Sequence, residues 1–160
     1  MLSLDGRFRP SQHGGRAFDS APGLAPALAA GPVEVDTRVP LLDGTRLTFA
    51  ARVPTVEMAV VIKAYAYASR RLGRDAEDVH RLLEIVGGYP PDAIGGWRLD
   101  AAAIQGSRRD AAALLRDLER QSRRLPNVDF PAARLATLIA QHVREQESWL
   151  AAGSSAKSHF

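Results

Sequence analysis

Between Glu57 and Arg70 the only charged side chain is Lys63, set among apolar residues, alanines, tyrosines and a serine. An ammonium in the middle of a helix that otherwise reads as core must find a partner or a route to water. Asp75 and Asp78 follow at i,i+3 spacing in the first turn of the next helix, so they share one face. Two kinds of chemistry fit these residue types. Lysine binds phosphate well as a point charge, and Tyr67 and Arg70, one and two turns beyond Lys63 on the same side, extend a polar strip. Equally, Lys63 can run its stem to the surface or pair with Glu57 or Asp78. Asp75 and Asp78 can serve simply to cap free N–H groups at the helix start and complement the positive end of its dipole.

A divalent hard cation would need more oxygen ligands than these two aspartates. The remaining acids with suitable spacing are Glu34 and Asp36, alternating on a strand, and they are the candidate metal ligands. His80 and His142 stand alone, without the spacing that joins two histidines on one metal. The chain carries no phosphate-binding glycine loop, no nucleophile elbow and no paired-histidine metalloprotease motif.

The elements that must position these residues can be read from periodicity. Val33, Val35, Thr37 and Val39 alternate with Glu34, Asp36 and Arg38, predicting a strand with one apolar face. Asp43-Gly44 predicts a turn, and Arg46 to Val53 a second strand with Leu47, Phe49 and Ala51 on the same face. Two strands alone are marginal, so the hairpin is expected to lie on helices or to join a larger sheet. Thr55 is placed to cap a first helix that stops at Gly73, and a second helix runs from Arg74 to Val86, ended by Gly87-Gly88. A Pro- and Gly-rich connection with Trp97 as an anchor leads to a third helix capped by Ser107. A fourth starts near Pro131 and carries Leu135, Leu138, Ile139, Val143 and Leu150 on its buried side. The expected class is α+β and helix-dominated, a small hairpin or sheet remnant packed against about four helices. The expected divisions are a loop-rich lead-in over 1–32, with a helical turn at 25–30, and one domain over 33–152. Within that domain 33–53 is the hairpin, 55–86 the helical pair and 107–151 the last two helices; 153–160 reads as a flexible tail.

Composition narrows the function. The 160 residues suit one domain, and 46% apolar with 24% charged residues is ordinary for a globular protein. A net charge of +3 permits contact with RNA without requiring it. There is no cysteine, which excludes thiol redox chemistry and thiolate metal sites and fits a cytoplasmic location. No apolar run is long enough to suggest a membrane span.

From Val53 the string P-T-x-E-x-x-x-x-K-A-x-A, followed by R-R-x-G-R-D-A-E-D-V-x-R-L-L, resembles the nucleotidyltransferase superfamily, in its toxin-like and abortive-infection branch. There the helix after the catalytic sheet carries a lysine, and the next helix opens with K/R-D-x-x-D. Lys63, Arg70, Arg74, Asp75 and Asp78 match those positions, and Leu41 to Leu47 resembles the preceding strand turn. The resemblance implies catalytic roles for Lys63 and Asp75, and nucleotide contacts from Lys63, Tyr67, Arg70, Arg74 and Asp78. It also implies Mg²⁺ and a nucleoside triphosphate for any active form.

The family's metal site is a Gly-Gly or Gly-Ser turn, two acids one apart on a strand and a third acid on a later strand. Here His13-Gly14-Gly15 is followed by no such pair, and Glu34 and Asp36 precede the Asp-Gly turn, where the family has a later strand. The resemblance is therefore to the C-terminal half of such an enzyme. The expectation is a nucleotidyltransferase-like remnant, inactive alone, whose exposed sheet edge takes a second copy or a partner chain. The alternative is a non-enzymatic helical interaction or regulatory module, comparable to a toxin–antitoxin partner, in which Lys63 is structural.

Overall fold

The structure, a computed structural model, describes residues 9–13, 16–20, 23–125 and 128–144. Two short strands, β1 (Arg9–His13) and β2 (Arg16–Ser20), pair antiparallel and close at His13↔Arg16. This differs from the loop expected over the lead-in: five-residue strands are too short for their alternation to stand out among glycines and prolines. Helix α1 (Leu24–Ala29) follows, where a helical turn is expected.

Strands β3 (Pro32–Pro40) and β4 (Arg46–Pro54) form a second antiparallel hairpin. Its loop is a tight turn in which Gly44 N–H donates to Leu41 O at 3.0 Å and Leu41 N–H donates to Thr45 O at 2.8 Å. Gly44 takes φ 84°, a left-handed conformation that glycine adopts without a Cβ penalty. The Asp43 carboxylate accepts from the Thr45 N–H and hydroxyl, which holds its pKa below the usual carboxylate value.

Helix α2 (Val56–Arg70) begins one residue after β4, and Thr55 caps it by accepting from the Met58 N–H at 3.2 Å. It ends at Arg71, which takes the left-handed conformation at φ 55°, two residues before the glycine expected to stop it. Gly73 instead opens helix α3 (Gly73–Gly88), whose last turn absorbs Gly87 and Gly88. A 3₁₀ turn at 91–94 and an irregular stretch lead to helix α4 (Ser107–Gln121), capped by Gly106 rather than Ser107. Helix α5 (Ala132–His142) completes the described fold. Leu150 and the tail from Gly153 lie outside the described residues.

The class is α+β and helix-dominated. The core lies among α2 to α5, with Met58, Val61, Val79, Leu83, Leu115, Leu118, Leu135, Leu138 and Ile139 essentially inaccessible. Trp97 anchors the irregular stretch as expected: its Nε1–H donates to His142 O at 2.9 Å, and its ring packs on the core. The hairpin of β3 and β4 meets the helical body at its root. There Gly95, at φ 83°, sits so close that an added Cβ would lie 2.5 Å from Thr55 Cγ2 and 3.0 Å from Val33 Cγ2. Beyond the root the apolar face is open: Val35, Val39, Leu47, Phe49 and Val53 are each between 36% and 49% exposed. A side chain that keeps that much of its surface in water contributes only part of its burial free energy, so this face is not part of the core.

Candidate functional site

Helices α2 and α3 bring the sequence-indicated residues to one seam, where the charges pair with one another. Lys63 Nζ lies 2.6 Å from Asp78 Oδ2, with the two side chains 35% and 39% exposed. The mid-helix lysine thus finds a carboxylate on the neighbouring helix at the edge of the core. Asp75 is 1% exposed, and Arg70 holds it in a bidentate pair, Nε to Oδ2 at 3.2 Å and Nη2 to Oδ1 at 2.6 Å. Both oxygens of that carboxylate therefore accept from one guanidinium, the geometry in which arginine outperforms lysine. Its place in the first turn of α3 adds the favourable end of the helix dipole. Against the capping role expected of it, the Asp75 carboxylate accepts from Arg70 and, among the described residues, from no N–H of α3.

The other members are placed differently. Tyr67 is in the core, 5% exposed, with the Arg71 guanidinium 5.3 Å from its ring centre, so it does not extend the polar strip. Arg71 also donates to Gln121 Oε1 at 2.9 Å. Arg74 is exposed and makes no ion pair among the described residues. Glu34 and Asp36 stand on the exposed polar face of β3, Glu34 opposite Arg52 and Asp36 opposite Ala50. Among the described residues no three His, Cys, Asp or Glu side chains gather as a metal site would require.

A second buried ion pair escapes sequence reasoning. Glu57, 3% exposed, accepts from Arg108 Nε at 2.9 Å and Nη2 at 3.1 Å, tying the start of α2 to the start of α4. An acid and an arginine far apart in the chain leave no local signal. Tyr65, beside Arg108's helix, has its phenol pKa raised by burial and then by the Asp110 carboxylate, to which its hydroxyl donates at 3.4 Å.

The two histidines belong to the α3–α5 contact. His80 stacks on Phe130 with ring centres 4.8 Å apart. Glu84 accepts both guanidinium bonds of Arg134 at 2.8 Å, which lowers its pKa. Burial, and then the charge of Arg134, hold His142 below the ordinary histidine pKa. Its Nε2 is buried and has no hydrogen-bond partner among the described residues. An open groove of about 530 Å³ lies between the end of α4 and α5, lined by Arg116, Glu119, Arg120, Ser122, Arg123 and Ala136. Its cations are largely engaged: Arg116 with Glu119 and the Val143 carbonyl, Arg120 with Asp117. None of the sequence-indicated residues lines it.

Comparison of the chain with protein-family models, curated proteins and solved structures finds no match. Among the described residues no helix is long and apolar enough to cross a membrane.

Proposed function

We propose that this chain is a non-enzymatic interaction module whose contact surface is the hairpin of β3 and β4. The observation that carries this reading is the open apolar face of that hairpin. Register places Val33, Val35, Thr37 and Val39 on the same side as Leu47, Phe49, Ala51 and Val53, and none of these is buried. A contiguous apolar strip of this kind marks a contact surface more often than a decorated exterior. The ion pairs of the α2–α3 seam support the same reading. Lys63 and Asp75, the residues a transfer reaction would use, already hold Asp78 and Arg70, and their role is to lock two helices at a fixed angle.

The decisive experiment is calorimetric titration of ATP, CTP, GTP and UTP, with and without Mg²⁺, into wild type and Lys63→Ala. No heat of binding at millimolar nucleotide is expected for either protein. Mg²⁺-dependent binding by wild type that Lys63→Ala removes would overturn the proposal. It would favour a second reading, a nucleotidyltransferase-like protein completed by another chain. That reading draws on Lys63 and Arg70, 35% and 41% exposed, from which a polyphosphate would displace carboxylates, and on the exposed Arg74 in the first turn of α3.

A further inference from the structure

Building on the hairpin as contact surface, we infer that its occupant is a second copy of the chain, paired edge to edge, β3 against β3, about a two-fold axis through Thr37. The free edge of β3 shows how. The Leu41–Thr45 bond fixes the alternation of the ladder, so Val33, Val35, Thr37 and Val39 exchange hydrogen bonds with β4. Pro32, Glu34, Asp36, Arg38 and Pro40 then turn their backbone groups outward. Proline has no N–H to offer, and the two prolines close both ends of this edge, leaving Glu34, Asp36 and Arg38 as its donors.

The residues on that open stretch are complementary to themselves. Val35-Asp36-Thr37-Arg38-Val39 reads as opposite charges flanking a centre, with valines beyond them. With Thr37 on the axis, Asp36 of each copy faces Arg38 of the other, and Val35 faces Val39. Shifting so that Asp36 meets its own copy sets that repulsion against the Glu34–Arg38 pairs it forms, and shifting so that Arg38 meets its own copy leaves only a repulsion, so the Thr37 register is the one whose charge pairs are all attractive. The β4 edge offers no equivalent, because its only charges are Arg46 and Arg52. Asp36 and Arg38 are also unclaimed within their own hairpin. They stand opposite Ala50 and Thr48, are exposed, and make no ion pair among the described residues.

The same register converts two marginal two-stranded hairpins into one four-stranded sheet with its apolar residues on a single side. It also brings Leu42, fully exposed at the hairpin tip, beside Pro32 at the root of the other copy. Opposite-charge cross-strand pairs fix register and partner more than they add affinity.

The test uses the full chain. Sedimentation equilibrium is expected to show a dimer, with Asp36→Arg and Arg38→Asp each weakening it at least about tenfold by replacing two attractions with two repulsions. The double variant Asp36→Arg/Arg38→Asp restores the dimer, and thermal unfolding of all three matches wild type under monomeric conditions because both residues are exposed. The chain has no cysteine, so introduced ones report register cleanly. Thr37→Cys is expected to oxidise to a covalent dimer, because directly opposed residues in a non-hydrogen-bonded pair have Cα atoms about 4.5 Å apart, within disulfide reach. Val35→Cys is expected not to, its counterpart lying about 13 Å away along the strand. A wild type monomeric at all concentrations, or Val35→Cys cross-linking as readily as Thr37→Cys, overturns the self-pairing. A dimer indifferent to both charge reversals but abolished by Phe49→Ser overturns the β3 register and leaves the hairpin as contact surface. Only Lys63-dependent nucleotide binding removes that broader reading.

Discussion

Replacing Arg70 with methionine separates the two ion pairs of the α2–α3 seam by a measurable amount. Asp75 is 1% exposed and both its oxygens accept from Arg70, so the variant leaves a buried carboxylate without a partner. Removing one member of a fully buried pair costs about 3–5 kcal/mol. Arg70 is 41% exposed, so water can reach part of the vacated space, and a discounted loss of about 2–3 kcal/mol is expected. For a chain of this size that corresponds to a fall in Tm of roughly 5–10 °C. Lys63→Met is the internal control. Its pair with Asp78 is 35% and 39% exposed, and such pairs are worth about 0–1 kcal/mol, a shift of no more than roughly 3 °C. The assay is thermal and urea unfolding of both variants and of Arg70→Met/Asp75→Asn. Neutralising the stranded carboxylate should return part of the loss, giving a coupling of at least about 1 kcal/mol in the double-mutant cycle. Equal, small shifts for Arg70→Met and Lys63→Met would refute the structural role assigned to Asp75.

Gly95→Ala is expected to lower stability by about 2–4 kcal/mol, combining the left-handed backbone penalty with overpacking against a buried Thr55 that cannot turn away without releasing its cap on α2; denaturant unfolding measures it. The depressed pKa of His142 gives a signed pH dependence. The unfolded chain binds that proton more readily, so this contribution is fully present above about pH 6.5 and is lost as pH falls through the lower folded value. Stability measured from pH 7.5 to 5 should therefore fall for wild type more steeply than for His142→Gln. Val35→Ser and Phe49→Ser are expected to lower the Tm of the monomer by much less than a core substitution, since each residue is already 43% exposed.

The alternation from Val33 to Val39 and the Asp43-Gly44 turn predict β3 and β4 together with their shared apolar face, because strand period and turn chemistry are local properties. What covers that face is not local, and a sequence pattern says the same thing for a covered hairpin as for an open one. The expectation of two helices breaking at Gly73 placed the break near its true position. The left-handed residue is Arg71, where the guanidinium's contacts with Tyr67 and Gln121 accompany a conformation usually left to glycine. Pairing of Lys63 with Asp78 was one of the alternatives open from the sequence. The Arg70–Asp75 clamp was not, because its i,i+5 spacing crosses the turn between helices and follows no helical periodicity. Tyr67 shows the limit of face assignment in a helix apolar nearly all round: spacing aligned it with Lys63, and packing put it in the core. The Glu57–Arg108 pair depends on α4 returning to the start of α2, which only the tertiary fold specifies.

The joint between hairpin and body has almost no slack. Thr55 alone separates β4 from α2, residues 30 and 31 alone separate α1 from β3, and Gly95 fills the space beneath. Both feet of the hairpin are thus tied to the body by short links, with Gly95 packed against Thr55 and Val33 at the root. On the proposed reading, a partner meets a two-stranded ribbon about 30 Å long held at both strand ends rather than a tether, so less orientational freedom is lost on contact. The inferred second copy, paired on that ribbon, would be held close to the helical body, in the manner of a bracket.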